Sequence, residues 1–256
     1  MSTPSDWIRH KWRRDTGWWD NLEVPQDEIK ESYDGKVFDW LREQAPDPLE
    51  HDYVLYTDGS GCSNGWGGYA ALIQRIDLVG ETREVVSSRA IVHGTYGSTV
   101  QRCEMSAWLD GVHSILAERA DEIKEAAHGD QEELYRIAQA GGAFNCLAGA
   151  DRPSVLWYND RSNIAQALLF DENGDPLCDR KKDRDLWMRW SMMASRVCIT
   201  PMCNPRNKIE GQAVCDALAG EARRLMKENH ERFAACADKF LQPEQWLQKK
   251  PQTAPF

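Results

Sequence analysis

Apolar positions along the chain change their period repeatedly, and each change marks an element. Tyr53–Thr57 (YVLYT) is a short aromatic and β-branched run that ends at Asp58–Gly59, the pattern of a strand entering a turn. Gly67–Gln74 and Arg83–Val92 predict two further strands, separated by a polar turn around Gly80. From about Thr99 the period lengthens: Met105, Trp108, Leu109, Val112 and Leu116 fall on one helical face. A second helical pattern covers Gln131–Ala140, ahead of the glycine-rich GGAFNCLAGA. Ser154–Tyr158 (SVLWY) has the composition of a buried strand, and Ser162–Phe170 is helical. Asp183–Ala194 predicts a helix bearing Trp187 and Trp190, and Val197–Thr200 a strand. Cys215, Leu218, Ala219, Ala222, Leu225 and Met226 mark one face of a last helix over about Gly211–Lys227.

The order is therefore β-β-β-α-(insert)-β-α-α-β-α. Strands joined by short turns pair antiparallel, whereas strands reached through helices run parallel. The expectation is an α/β protein with a mixed five-stranded sheet flanked by helices. Residues 1–50 read as an extension outside the regular fold, with a short helix over Lys36–Arg42. The extension holds Trp7, Trp12, Trp18, Trp19 and Trp40 among many charges. It either packs those rings on the domain that follows or docks a protein partner, since Trp and Arg are enriched at interface hot spots. Residues 51–228 form the main domain, with a helical insert at about 118–152, and 229–256 form a tail with a proline-rich end.

Composition adds limits. With 256 residues, 41% of them hydrophobic and 28% charged, the chain can build a core without metal or disulfide staples. No run of about 18 apolar residues exists, so a membrane span is not expected. The first residues lack the apolar stretch of a signal peptide. The eight cysteines include no C-x-x-C pair, which argues against structural zinc and for reduced thiols. An intracellular, cytoplasmic protein is expected. Lys and Arg number 31 against 41 Asp and Glu, a formal charge of −10. On bulk charge alone a nucleic-acid partner is disfavoured.

Four acidic residues occupy informative places. Asp58 ends the first strand, Glu104 lies in the first turns of the long helix, Asp160 follows SVLWYN, and Asp216 lies early in the last helix. Taken singly, an Asp after a strand is usually a turn former or cap. Converging, four carboxylates repel unless cations compensate, and hard oxygen ligands suit Mg²⁺, with Mn²⁺ as a substitute.

The blocks that hold these residues are similar to those of a known family. YTDGSGCSNGWGGYAAL (56–72), STVQRCEMSAW (98–108), VLWYNDRSN (155–163), RDLWMRW (184–190) and GQAVCDALAGEAR (211–223) resemble, in order, the signature blocks of ribonuclease H of the bacterial, eukaryotic and retroviral type. The resemblance implies a ribonuclease H-like fold. It also implies hydrolysis of the RNA strand of an RNA–DNA hybrid with two Mg²⁺ ions, leaving 3′-hydroxyl and 5′-phosphate ends. By the same resemblance Asp58, Glu104, Asp160 and Asp216 are catalytic and metal-binding, Asn64 and Gln101 approach ribose 2′-hydroxyls, and Thr99 holds a DNA-strand phosphate with Arg102 close by. Main-chain amides around Gly59 and Ser60 contribute further substrate bonds.

Departures from the family pattern temper the expected activity. The family usually carries a His before the last helix, but TPMCNPRNKIEG has none. Metal-dependent cleavage with weaker turnover is therefore expected. The insert and the Trp-rich arm are foreign to the minimal pattern, and basic residues cluster mainly in DRKKDRDLWMRW. So little basic surface implies modest, salt-sensitive affinity for hybrid. The competing expectation is a ribonuclease H-fold scaffold in a nucleoprotein or replication assembly that no longer cuts. No membrane partner is expected.

Overall fold

A computed structural model describes residues 18–23, 46–62, 64–147, 152–160, 183–203 and 209–240, of which 18–23 and 230–240 are described as backbone alone. The strands are β1 (Trp18–Glu23), β2 (Tyr53–Gly61), β3 (Trp66–Val79), β4 (Thr82–Tyr96), β5 (Ser154–Asn159) and β6 (Cys198–Cys203). The helices are α1 (Val100–Ala126), α2 (Gln131–Gln139), α3 (Ala143–Cys146), α4 (Arg184–Ala194) and α5 (Glu210–Phe240). Helices expected at Lys36–Arg42 and Ser162–Phe170 lie outside the described residues.

The sheet order is β1-β4-β3-β2-β5-β6. β2, β3 and β4 form the antiparallel meander, while β5 pairs parallel with β2 and β6 parallel with β5. The mixed five-stranded sheet expected from the sequence is present, and the N-terminal extension adds a sixth strand. β1 pairs antiparallel with β4 from Trp18↔His93 to Glu23↔Arg89, with a bulge between Trp19 and Leu22. Part of the segment read as an extension, Trp18–Glu23, thus lies at the edge of the sheet. Without β1, β4 would present an open edge of unpaired main-chain groups at those positions.

Alternation along the strands sorts the core into two layers, one on each face of the sheet. Val54, Tyr56, Ala70, Leu72, Leu156 and Tyr158 pack against Val214, Cys215, Leu218, Ala219 and Ala222 of α5. Tyr53, Leu55, Ala71, Ile73, Val155 and Trp157 pack against α1 and α4 on the other face. There Trp108 and Trp157 meet edge to face at 6.0 Å, and Trp108 also lies 5.4 Å from Trp190. Trp187 and Trp190 are thus core residues of α4, as their helical spacing suggests.

The insert is a continuation of α1 rather than a separate body. Its α2 and α3 bury Ile137, Ala143 and Cys146 against Ala120 and Ala127 at the far end of α1. Asp130 caps α2 by accepting from the main-chain amides of Glu132 and Glu133. At the start of the sheet, Asp52 accepts from Ser154 N and Oγ at 2.9 Å each, which fixes β5 beside β2. Burial opposes the Asp52 charge, yet these bonds and Arg83 prevail and hold its carboxyl below the usual value. All six cysteines among the described side chains are free, and Cys103, Cys146 and Cys215 are buried.

Glycine sets how closely α5 lies on the sheet. A Cβ on Gly68 of β3 would fall 2.6 Å from Arg223 N and closer still to the Ala219 carbonyl, whereas one on Gly220 would meet nothing within 4 Å. Gly68→Ala should therefore cost about 1–3 kcal/mol or more by forcing helix and sheet apart. Gly220→Ala should stabilise by up to about 1 kcal/mol, because glycine is a poor helix former. Urea unfolding of the two variants measures both, and opposite signs are the expected result.

Candidate metal centre

The parallel pairing of β2 with β5 places two carboxylates side by side. The ladder runs from Tyr53↔Val155 to Tyr56↔Tyr158, where the two phenol rings stack at 5.1 Å with planes 10° apart. Residues two further along each strand share the face of those tyrosines. Asp58 is that residue on β2, and Asp160 immediately follows the end of β5.

The third carboxylate comes from α1. Thr99 caps this helix, its Oγ1 accepting from Arg102 N at 3.2 Å, and Glu104 lies in the next turn. The helix approaches β2 at Gly59, where a Cβ would sit 2.5 Å from Glu104 N and 2.9 Å from the Cys103 carbonyl carbon. Any larger residue would push Glu104 away from Asp58. Carboxylate oxygens of Asp58, Glu104 and Asp160 lie within 4.8 Å of one another. Asp58 and Glu104 are 2% and 1% exposed, and Asp160 is half-buried.

Three carboxylates so close repel unless a proton or a cation is shared among them. Asp58 Oδ1 accepts from Gly59 N at 2.7 Å. Asp160 Oδ1 is buried and meets no hydrogen-bond donor among the described residues. A buried oxygen left in this way suits coordination to a hard divalent ion, and the all-oxygen donor set suits Mg²⁺ or Mn²⁺.

Asp216 is placed differently. It is half-buried on α5 and is not among the three acids that come within 4.8 Å of one another. It shares a helix face with Gln212, four residues earlier, and is adjacent to Cys215, whose thiol donates to the Tyr56 carbonyl at 3.3 Å. Burial, followed by the charges of Asp58, Glu104 and Asp216, pushes the Cys215 thiol well above its ordinary range. Cys215 therefore sits among these acids as a neutral packing group.

The residues expected at the substrate lie on β2, in the turn after it and at the start of α1. Ser60 is buried beside Gly59, and Gln101 is half-buried in the first turn of α1. Asn64 is exposed in the turn after β2, its Oδ1 accepting from the Cys62 thiol. The loop lacking the expected His, 204–208, lies outside the described residues, as do Arg180, Lys181 and Lys182.

Three features were missed by the sequence reading. Thr57 is fully buried and accepts from Trp157 Nε1 at 2.8 Å, and its carbonyl accepts from Gln212 Nε2 at 2.8 Å. The available signal for Gln212 was a polar residue on the same helical stripe as Cys215 and Asp216. A third surprise is Arg102, which ties α1 to the start of α4. Its guanidinium donates to Asp183 at 2.9 Å and to both oxygens of Asp185 at 2.9 and 2.6 Å. Asp183 takes a left-handed backbone (φ 57°) where it caps the entry to α4.

The Arg102 hydrogen bonds lower the Asp185 carboxyl from 3.8 to about 2. A carboxyl lowered on folding stabilises the fold above its ordinary value, and that contribution disappears as pH falls through about 2. An NMR titration should place the Asp185 midpoint near 2 in the wild type and closer to 3.8 in Arg102→Gln.

No family model matches the chain, and no curated protein matches it. Among solved structures it is similar to LC11 ribonuclease H1 in complex with an RNA/DNA hybrid, at 16% identity over 67% of this chain and 96% of that chain, with a TM-score of 0.40. A structure of LC11 ribonuclease H1 isolated from compost by a metagenomic approach is similar at 16% identity, over 68% and 96% of the two chains, with a TM-score of 0.39. The foamy viral protease-reverse transcriptase in complex with dsDNA is similar at 15% identity, over 70% and 97%, with a TM-score of 0.37. In the chain's own topology, an antiparallel β4-β3-β2 meander continues into parallel β5 and β6, with helices on both faces, which is the α/β mixed-sheet architecture expected from the sequence.

Proposed function

We propose that the chain is a divalent-cation-dependent endonuclease that hydrolyses the RNA strand of RNA–DNA hybrids, leaving 3′-hydroxyl and 5′-phosphate ends. The observation that carries this reading is the meeting of Asp58, Glu104 and Asp160, from β2, α1 and the end of β5, within 4.8 Å. A structural role alone gives no reason to gather like charges at the end of a sheet.

Asp58, Glu104 and Asp160 would hold a Mg²⁺ ion, and Asp216 would contribute to a second. When bound, such ions supply Lewis acidity, which lowers the pKa of water and stabilises charge on the scissile phosphate. The chain's own residues hold the carboxylates in place before substrate arrives: Gly59 by allowing α1 to approach, and the β2–β5 register by aligning Asp58 with Asp160. At the rim, Asn64, Gln101, Ser60 and the Gly59 main chain would read ribose 2′-hydroxyls, the atoms that distinguish RNA from DNA. Thr99 would hold a phosphate of the DNA strand. Arg102, already committed to Asp183 and Asp185, supports this rim by fixing α1 against α4. The catalytic unit would be built on residues 51–228, with β1 of the arm at the edge of its sheet, acting inside the cell. The remaining tryptophans of the arm would serve a protein partner.

One observation favours a second reading. Asp216 stands outside the group of three, as it would in a module that keeps the fold but no longer cuts. End-labelled hybrid, duplex RNA and duplex DNA, each incubated with Mg²⁺, separate the two. The nuclease cuts only the RNA of the hybrid, and Asp58→Asn or Asp160→Asn slows it by about 100- to 1000-fold. Binding without cleavage at any Mg²⁺ or Mn²⁺ concentration would establish the second reading instead.

A further inference from the structure

The last helix meets the end of β2 through a set of contacts that converge on the main chain just before Asp58. A Cβ on Gly211 would lie 2.5 Å from the Tyr56 ring, so the helix begins pressed against that ring. Cys215 donates to the Tyr56 carbonyl, and Gln212 Nε2 to the Thr57 carbonyl at 2.8 Å. Gln212 is 1% exposed. Its amide is thus half used: Oε1 is buried and has no hydrogen-bond donor among the described residues. A buried amide oxygen without a donor is destabilising. Gln212, Cys215 and Asp216 lie on one face of α5.

We infer that Gln212 is a positioning residue of the cation site: its Nε2 locks α5 in register with Asp58, and its Oε1 accepts from a water molecule that enters with the cation. The inference rests on the reading of Asp58, Glu104 and Asp160 as cation ligands. Gln212 does not touch the cation. It sets the distance between Asp216 and the three clustered carboxylates and anchors the hydration shell on the α5 side. Partners of this kind, one step removed from the ligands, typically change metal affinity about 10- to 100-fold when lost.

Calorimetric titration of Mn²⁺ into the full-length protein, Gln212→Met and Leu218→Ala tests the inference. Leu218 is fully buried on the same helix but packs only in the apolar layer. Gln212→Met is expected to weaken Mn²⁺ binding about 10- to 100-fold, while Leu218→Ala lowers the unfolding midpoint and leaves the affinity unchanged. Wild-type affinity in Gln212→Met, or equal weakening in both variants, would overturn the role. A measurement on the wild type keeps the test independent of how well Gln212→Met folds: Mg²⁺ should shift the NMR resonance of the Gln212 side-chain amide, and an unmoved resonance at saturation would overturn it. If the wild-type protein bound no Mn²⁺, the cation site itself would be lost and this inference with it.

Discussion

Helix α1 reaches the end of β2 because residue 59 has no side chain. With the Gly59 Cα facing Glu104 N and the Cys103 carbonyl, helix and strand touch main chain to main chain, and Glu104 arrives beside Asp58. The cost of that contact is electrostatic, since Asp160 already lies next to Asp58 through the β2–β5 register. Two buried carboxylates and a half-buried third within 4.8 Å form an arrangement that only a shared proton or a cation relieves. The site is thus a place where the fold concentrates repulsion, held closed by apolar packing on both faces of the sheet.

That packing is asymmetric, and the asymmetry assigns roles to the faces. The α1 and α4 face is built from large rings, with Trp108, Trp157, Trp187 and Trp190 in one cluster. Aromatic bulk of this kind makes a rigid platform for α1. The α5 face includes several small residues, with Ala70, Ala90, Cys215, Ala219 and Ala222 in its core. Small residues let α5 lie close on the sheet, so polar clamps such as Gln212 to the Thr57 carbonyl form at 2.8 Å. The first face fixes Glu104, and the second sets where Asp216 stands.

Most of this was legible in the sequence because the site is written in local patterns. A strand ending in Asp-Gly, a helix with its acid in the first turns and a buried strand followed by Asp each follow from periodicity over a few residues. Asp58, Glu104 and Asp160 come within 4.8 Å of one another, and Asp216 is not in that group. Long-range pairing was the part that escaped. Nothing local to Trp18–Glu23 says that it will pair with β4, and nothing local to Arg102 points to Asp183 and Asp185, more than 80 residues away. Element ends also moved outward, with α1 running to Ala126 into the insert and α5 to Phe240 beyond the expected boundary at 228. Polar, charged stretches extend a helix once its first turns are docked, which periodicity of apolar residues does not register.

The net charge of −10 takes on a different meaning once the acids are placed. Three of them stand together in a pocket of repulsion, and other acids are already matched, as Asp183 and Asp185 are by Arg102 and Glu118 by Arg75 and Arg89. The bulk figure therefore says little about the surface that would meet a polyanion. The most direct test of the central claim is anomalous diffraction from a crystal soaked in Mn²⁺. The account predicts a peak bounded by carboxylate oxygens of Asp58, Glu104 and Asp160. A saturating soak that shows manganese elsewhere and none among these three acids would contradict it.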